Sequence, residues 1–466
     1  MERANAMDVF SALQTAVSGL KAQSFSLSNI SGNIANSQTT GYKRIDTSFV
    51  DMLVDGDAKS QTAGSVGAFS ELTNSIQGNK VSTGVSTNMA IDGQGFFAVR
   101  KKTTDAGGGE GFTAGNLYTR RGDFAPDKDG YLVNTAGAYL VGASLDPVTG
   151  QTNGTGPIKI SNAVIPAKPT TTITYSANLP KSPATTNAAS TQGLLSAFSD
   201  GTDARVTPAN GATTGSVSQT NAQSFIDNSI AGPALTVYTA SGAPVSVQSR
   251  WAKVAAADTA AGTSDTWNLF TADKTSVNGN QASWTNIGQA FTFSPSGQMT
   301  APTGKTVPIS NLTVDGVNVG AVTLDLSGGL TQYAAASGTV TTNDLKQNGY
   351  ASGTLNSVEV GENGIISGKY SNGSVIGLAR VEVAQFVNPD GLKPDSLGNY
   401  QQTVASGEPI VGLKDSTVVG ANVEQSNTDI AAEFSKMIVT QQAYSANTRV
   451  MSTAQTMISD LLNVIR

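Results

Sequence analysis

The sequence predicts a mainly β chain with an α-helix at each terminus. The helices form a coiled-coil-like inner domain, and the β parts are nested, discontinuous domains. Three observations predict this. Apolar residues recur at alternating steps of three and four over residues 10–34 and again over 430–465. Between those ends, turn dipeptides punctuate short alternating runs of Val, Ile, Leu, Tyr and Phe. Stretches rich in Pro, Thr and Ser divide the β material into separate regions.

The first stripe is Phe10, Leu13, Val17, Leu20, Ser24, Leu27, Ser31 and Ile34. The last is Ile430, Phe434, Met437, Gln441, Tyr444, Thr448, Met451, Gln455, Ile458, Leu462 and Ile465. Such spacing places the side chains on one narrow seam of a helix. Two readings fit: helices that pair with each other or with other copies of the chain, or amphipathic helices packed on one globular core. Polar seam positions cost stability but fix register, and single helices are marginal in water. A lone chain is therefore expected to hold these tails loosely.

The first helix is expected over 8–36 with Asp8 as N-cap, its carboxylate accepting from the first free N–H groups. Gly19 costs about 1 kcal/mol relative to Ala in mid-helix and leaves room for another backbone to approach. Asn, Ser, Thr and Gly gather at Asn36–Gly41 and stop the helix. Residues 42–80 show no strong period and read as an extended connector.

From 81 to 145 short strands and turns follow, among them Phe96–Val99 after Asp92–Gly93, and Tyr118–Arg120 and Tyr131–Val133 around Asp127–Gly130. Five prolines over 146–180 mark a boundary. Strong β patterns return over 233–326: Leu235–Val237 and Val245–Val247 flank Ser241–Gly242, and Asp315–Gly316 joins two alternating runs. Trp251, Trp267 and Trp284 all fall here and are expected to anchor one core. Residues 327–350 read as a second connector, and 351–420 as β again with Asn363–Gly364 and Asn372–Gly373 turns.

The chain contains no cysteine and no histidine. Disulfides, thiol nucleophiles, Cys/His zinc sites and Ser-His-Asp triads are thereby excluded. No apolar run approaches the ~20 residues of a membrane span, and no cleaved secretory signal is evident at the N-terminus. Charged residues make up 13%, about half the usual share, so copies of this surface repel one another weakly. A net charge of −6 without a basic run argues against nucleic acid and anionic membranes. Asp127–Gly130 lacks the further oxygen ligands of a calcium loop and reads as a hairpin turn. Gly107–Gly109 lacks the Gly-Lys-Ser/Thr of a phosphate loop and reads as a flexible loop. Asp123 and Asp127 have no nucleophile nearby, and no catalytic residue, metal or cofactor is expected.

Five blocks carry a resemblance to a known family. Asn33-Ile-Ala-Asn36 followed by Gly41-Tyr42-Lys43 resembles the helix-ending signature of the bacterial flagellar rod and hook family, with Gly32 where the family often has Asn. Asp92, Gly93, Gly95 and Phe96 resemble its "IDGxGFF" strand. Tyr118–Arg120, Gly122-Asp-Phe124 and Gly130–Asn134 resemble its "YTRxGxF…DGYLVN" hairpin. Glu424, Gln425, Ser426, Asn427 and Asp429 resemble the opening of its last helix. Gln441–Asn447, with Tyr444 and Asn447, resembles "QRAYQAN", with Gln442 in place of Arg. Two further blocks, Leu324–Ser327 with Thr331–Tyr333 and Gly364–Ser367 with Tyr370–Gly373, resemble hook subunits in particular. Residues 181–320 match no motif.

The resemblance implies a structural subunit of the flagellar hook, not an enzyme. Copies would polymerise into a flexible, curved, tubular universal joint that carries motor torque from rod to filament. The implied partners are the chain itself, rod and hook-filament junction proteins at the ends, and the hook cap and export apparatus during assembly. No nucleic acid or membrane insertion is implied, and export proceeds without a cleaved signal to the extracellular flagellum. A distal rod or hook-associated subunit is the nearest alternative. A β-rich adhesin or glycan-active protein is the alternative for 181–320 alone. The expected divisions are an inner helical domain (1–41 plus 421–466), the connector 42–80, a middle β domain (81–150 plus 345–420) and an inserted outer β domain (151–344). Connectors 42–80 and 327–350 are expected to act as hinges when the tube bends.

Overall fold

The computed structural model describes residues 2–52, 65–104, 110–147, 149–207, 215–258, 263–274, 283–414 and 416–464. Ile465 and the Gly107–Gly109 loop lie outside the described residues. Among the described residues four α-helices form: α1 (Glu2–Ala35), α2 (Ala188–Thr191), α3 (Ala222–Asp227) and α4 (Ile430–Val464). The rest of the ordered structure is mostly strand. The chain divides into two compact units. One comprises 1–162, 355–370 and 375–466, and the other 163–354 with 371–374.

In the first unit, α1 begins six residues before the expected cap, because nothing in Glu2–Met7 breaks a helix. Asp8 therefore lies inside the helix and does not cap it. Asp429 does cap α4: its Oδ1 accepts from the N–H groups of Ala431 (2.8 Å) and Ala432 (3.2 Å).

Residues 42–80 are not an extended connector. Ile45–Met52 (β1) and Ser65–Leu72 (β2) pair antiparallel in unbroken register, from Ile45 opposite Leu72 to Met52 opposite Ser65. The ribbon leans on α1: Asn29 Nδ2 donates to Thr47 Oγ1 (2.9 Å), and Ser18 Oγ accepts from the Val66 N–H (3.2 Å). Two strands alone are marginal in water, and α1 supplies the missing support.

The main sheet of this unit is antiparallel and draws on both halves of the chain. Phe96–Thr104 pairs with Leu117–Thr119 and Ala138–Leu145, and Ala138–Leu145 pairs with Val375–Val381. Met89, Phe97, Val99, Phe124, Leu140, Ile366 and Val418 fill the core. Two short ladders stitch the distant ends together, Lys80–Ser82 to Asn422–Glu424 and Met89–Asp92 to Thr417–Gly420. The strand Thr152–Pro157 also joins Ala138–Leu145. The compact insertion thus begins at 163, not 151, and ends at 354, not 344.

The second unit has two main sheets. One contains Thr172–Asn178, Thr306–Val314, Val317–Asp325 and Thr341–Gln347, and the other Ser249–Ala255, Asp265–Lys274 and Ser283–Phe293. The Asp315–Gly316 turn takes positive φ at both residues (51° and 77°), as a tight hairpin demands. Val322, Leu324 and Leu326 point inward in alternation. All three tryptophans are buried, Trp251 and Trp267 in the larger apolar cluster and Trp284 in a second with Phe225 and Phe270. The expected connector 327–350 contributes Leu330–Thr331 and Thr341–Gln347 to the sheet through Thr172–Asn178, so it is no free hinge.

Tyr175 gives this unit an alkaline limit. It is buried, and its hydroxyl accepts from the Trp251 indole N–H at 3.3 Å. Burial pushes its phenol up from 10.0 to about 12. The unfolded chain ionises near pH 10 and the folded one near 12, so this stability is complete below pH 10 and is lost as pH rises through 12. Urea unfolding followed by tryptophan fluorescence, which reports this unit alone, should lose about 2–3 kcal/mol across that window. Tyr175→Phe should flatten the slope. A pH-independent wild-type midpoint there would contradict the assignment.

Candidate assembly site

Helices α1 and α4 pack against each other within one chain. A Cβ on Gly19 would stand 3.0 Å from Asn447 Nδ2, and Asn33 Nδ2 donates to Glu433 Oε2 at 3.0 Å. Fourteen residues separate these contacts on each helix (33 − 19 and 447 − 433), in opposite directions. The pair is therefore antiparallel and keeps register over two heptads. The space at Gly19 admits a side chain, Asn447, and not a backbone.

The seam is not the one the stripes suggest. Its centre is the line Gly19, Ser26 and Asn33 on α1 against Glu433, Thr440, Asn447 and Ala454 on α4, small or polar and mostly buried. The centre of the seam is thus small or polar, and most of the larger apolar side chains lie on the flanks. Leu13, Val17, Leu20, Leu27 and Ile34 are half-buried there, as are Met437, Met451 and Ile458. Ser24, Ser31, Gln441, Thr448 and Gln455 face solvent. Ile430, Phe434 and Tyr444 are exposed, Phe434 by 50%. Phe10 and Leu462 lie within α1 and α4.

At 3.6 residues per turn the exposed apolar residues of α4 form two rows. Ile430, Phe434 and Ile438 run along one side of the seam, and Val439, Val450 and Met457 along the other. A groove of about 560 Å³ lies between α1, β1 and α4, walled by Ile30, Ile45, Phe49 and Val439. Lys436 also lines it, with its Nζ 2.8 Å from Asp46 Oδ1 and 2.9 Å from Glu433 Oε1.

Most of the motif residues gather where the helices meet the sheet. Asn33 is buried with its amide fully engaged: Oδ1 accepts from the Ile45 N–H (2.9 Å) and the Tyr42 hydroxyl (3.2 Å), and Nδ2 donates to Ile45 O (2.9 Å) and to Glu433. Burial first, and the Glu433 charge second, raise the Tyr42 phenol above its ordinary value. Asn36 Nδ2 returns to Gly32 O and ends α1. Gly41 has φ +66°, and a Cβ there would stand 2.7 Å from the Arg120 carbonyl carbon, so only glycine fits. Asn427 Oδ1 accepts from the Arg44 N–H (2.7 Å) while its Nδ2 donates to Thr73 and Ile76. Phe96 is buried under the Arg120 guanidinium at 5.3 Å. Gly93 and Gly95 hold positive φ beside it (101° and 132°), and Asp92 pairs with Lys80 at 2.5 Å. The Gln425 N–H donates to Asn79 O (2.8 Å), and Ser426 Oγ donates to Thr428 Oγ1 (2.9 Å).

Three ionic residues complete this junction and have no signal in periodicity. Glu424 is buried, with Oε1 taking Lys43 Nζ at 2.5 Å and the Gly78 N–H at 2.8 Å, and Oε2 taking Arg120 Nη1 at 3.1 Å. Burial pulls the Lys43 ammonium and the Arg120 guanidinium below their ordinary values, against the opposing pull of Glu424. Lys43, Arg120 and Glu424 each stand inside a quoted motif, and only the fold shows them meeting. Among the described residues no cluster of carboxylates suited to a metal is found.

Comparison with known proteins assigns several segments of the chain to described families. Residues 13–43 match the family described as flagella basal body rod protein, and 420–464 the flagellar basal body rod FlgEFG protein C-terminal family. Residues 90–178 match the flagellar hook protein FlgE/F/G D1 domain. The flagellar hook protein FlgE of Brucella abortus is 30% identical over 469 residues, covering 99% of this chain and 100% of that protein. The chain belongs to the flagellar hook protein family. The Salmonella typhimurium hook protein FlgE is 29% identical across 96% of this chain and 98% of its own length. A solved structure, that of the Helicobacter pylori flagellar hook protein FlgE2, is similar at TM-score 0.47 and 17% identity, covering 72% of this chain and 98% of that one. Residues 228–350, which include most of the motif-free stretch 181–320, match the flagellar basal body protein FlaE D2 domain. The chain is a structural, polymerising subunit of the flagellar hook. No described helix is long and apolar enough to cross a membrane.

Proposed function

We propose that this hook subunit assembles through the two apolar rows of α4 and the half-buried flanks of α1, forming the inner wall of a flexible, curved tube. The tube acts as a universal joint that passes torque from rod to filament. The observation that carries this reading is the pair of uncovered rows on either side of the α1 seam. One row would suit a closed dimer; two unlike rows suit head-to-tail contacts with two different neighbours, which propagate into a helical polymer. The low charge of the chain, 13%, lets such copies crowd together. Rod and hook-filament junction proteins would cap the ends, and the hook cap and export apparatus would act during assembly.

The residues proposed for assembly are Phe10, Leu13, Val17, Leu20, Leu27 and Ile34 in α1, with Ile430, Phe434, Met437, Tyr444, Met451, Ile458, Leu462 and Ile465 at the other end. Ile438, Val439, Val450 and Met457 join them. A chain lacking 430–466 should be exported yet form no tubes by electron microscopy. Hooks of normal length and number from that truncated chain would refute the assignment.

A further inference from the structure

We infer that Lys43, Arg120 and Glu424 are positioning residues, a buried clamp that fixes the direction in which the α1–α4 pair leaves the sheet. Three chain segments meet beside the sheet: 41–45 leads from α1 into β1, 72–80 leads from β2 to the sheet, and 424–430 leads from the sheet into α4. All three meet at one carboxylate. Glu424 belongs to the third segment, binds Lys43 of the first, and accepts from the Gly78 N–H of the second. Lys43 Nζ also donates to Ile76 O at 2.6 Å, so the first two segments are tied directly. Arg120 then fastens the cluster to the sheet, with Nη2 donating to Gly93 O at 2.9 Å and Nη1 to Ile91 O at 3.4 Å. Asn427, three residues further along, repeats the arrangement by bridging Arg44, Thr73 and Ile76.

The chemistry favours geometry over stability as the purpose. Two cations around one carboxylate leave a buried excess of positive charge, and desolvating three ions costs more than an apolar cluster of the same volume would. Apolar packing, however, tolerates sliding, whereas short charge-assisted hydrogen bonds fix direction. The described segments 41–45 and 72–80 thus form a stiff coupling, and bending of the tube is taken up elsewhere in the subunit or between subunits.

The test uses the full chain as a monomer, so it does not depend on the assembly reading. The natural protein has no cysteine, so paired replacements at exposed Ser357 and Ser452 give two unique sites for spin labels, one on the sheet and one on α4. The otherwise wild-type protein should give one narrow interlabel distance. Glu424→Gln and Lys43→Met keep shape and remove charge. Under conditions where circular dichroism shows each still folded, the distribution should widen roughly twofold as the exit angle relaxes. A role in stability alone predicts lower melting with the wild-type distance and width in the folded protein, and that result overturns the clamp. Either variant decides the matter if the other does not fold. Failure of both to fold would make the cluster a stability element and overturn it too.

Discussion

Replacing Phe434 and Ile438 together with glutamine should raise the critical concentration for tube formation roughly 100-fold while leaving the monomer's stability nearly unchanged. Both side chains sit on the same row of α4 and are about half exposed, at 50% and 56%. In the monomer little is lost, since glutamine is as good a helix former as the residues replaced and surface substitutions of this kind stay within about 0.5 kcal/mol. In the polymer each contact would forfeit the area still to be buried, together about 3 kcal/mol at 25 cal/mol per Å². At 1.4 kcal/mol per decade that is about two decades in concentration. Sedimentation of tubes against total protein measures it directly. The matched control is Gln441→Ala and Thr448→Ala, on the same helix but polar and exposed, which should leave assembly within a few-fold. A double glutamine variant that pellets at the wild-type threshold, with its helices intact, would remove this row from the interface.

The terminal helices were legible because their apolar spacing is sustained over many turns, but the face they turn to one another was not. Periodicity counts large apolar residues, and the buried line of this pair is Gly19, Ser26, Asn33, Glu433, Thr440 and Ala454. Small and polar side chains hold the centre of this pair, and most of the large ones lie on the flanks. The ribbon β1–β2 escaped notice for a related reason. Its strands, IDTSFVDM and SVGAFSEL, are too polar and too rich in Ser and Gly to announce a half-buried sheet, and their support comes from α1. The ionic junction was beyond sequence reasoning: Lys43 and Glu424 lie 381 positions apart and Arg120 and Glu424 lie 304 apart. By contrast the Asp315–Gly316 hairpin and the three buried tryptophans were readable, because turn chemistry and aromatic burial are local signals.

Gly122→Ala should cost about 3–5 kcal/mol, the largest loss expected from any single methyl group in the first unit. A Cβ at this position would stand 1.5 Å from the Met89 carbonyl oxygen and 2.7 Å from its carbon. Neither atom can rotate away, since both are backbone. Nor can the backbone retreat cheaply: the Met89 N–H donates to Gly122 O at 2.9 Å, and Thr87 Oγ1 donates to Phe124 O at 2.7 Å, so the two segments are bonded at two points beside the contact. Moving Met89 would also drag the ladder between Met89–Asp92 and Thr417–Gly420, and with it the packing of Val418 and Phe124. The conformation at Gly122 is ordinary, so the demand is for space and not for a left-handed backbone, unlike Gly41 at φ +66°. Gly32 supplies the comparison. It lies in α1, and a Cβ there meets nothing within 4 Å. Gly32→Ala should therefore stabilise the helix by up to about 1 kcal/mol. The same one-carbon change is expected to act in opposite directions at two positions of one unit, and denaturant midpoints by circular dichroism can read both. A Gly122→Ala protein as stable as wild type would mean that the 87–92 and 122–124 segments are not held together in this way.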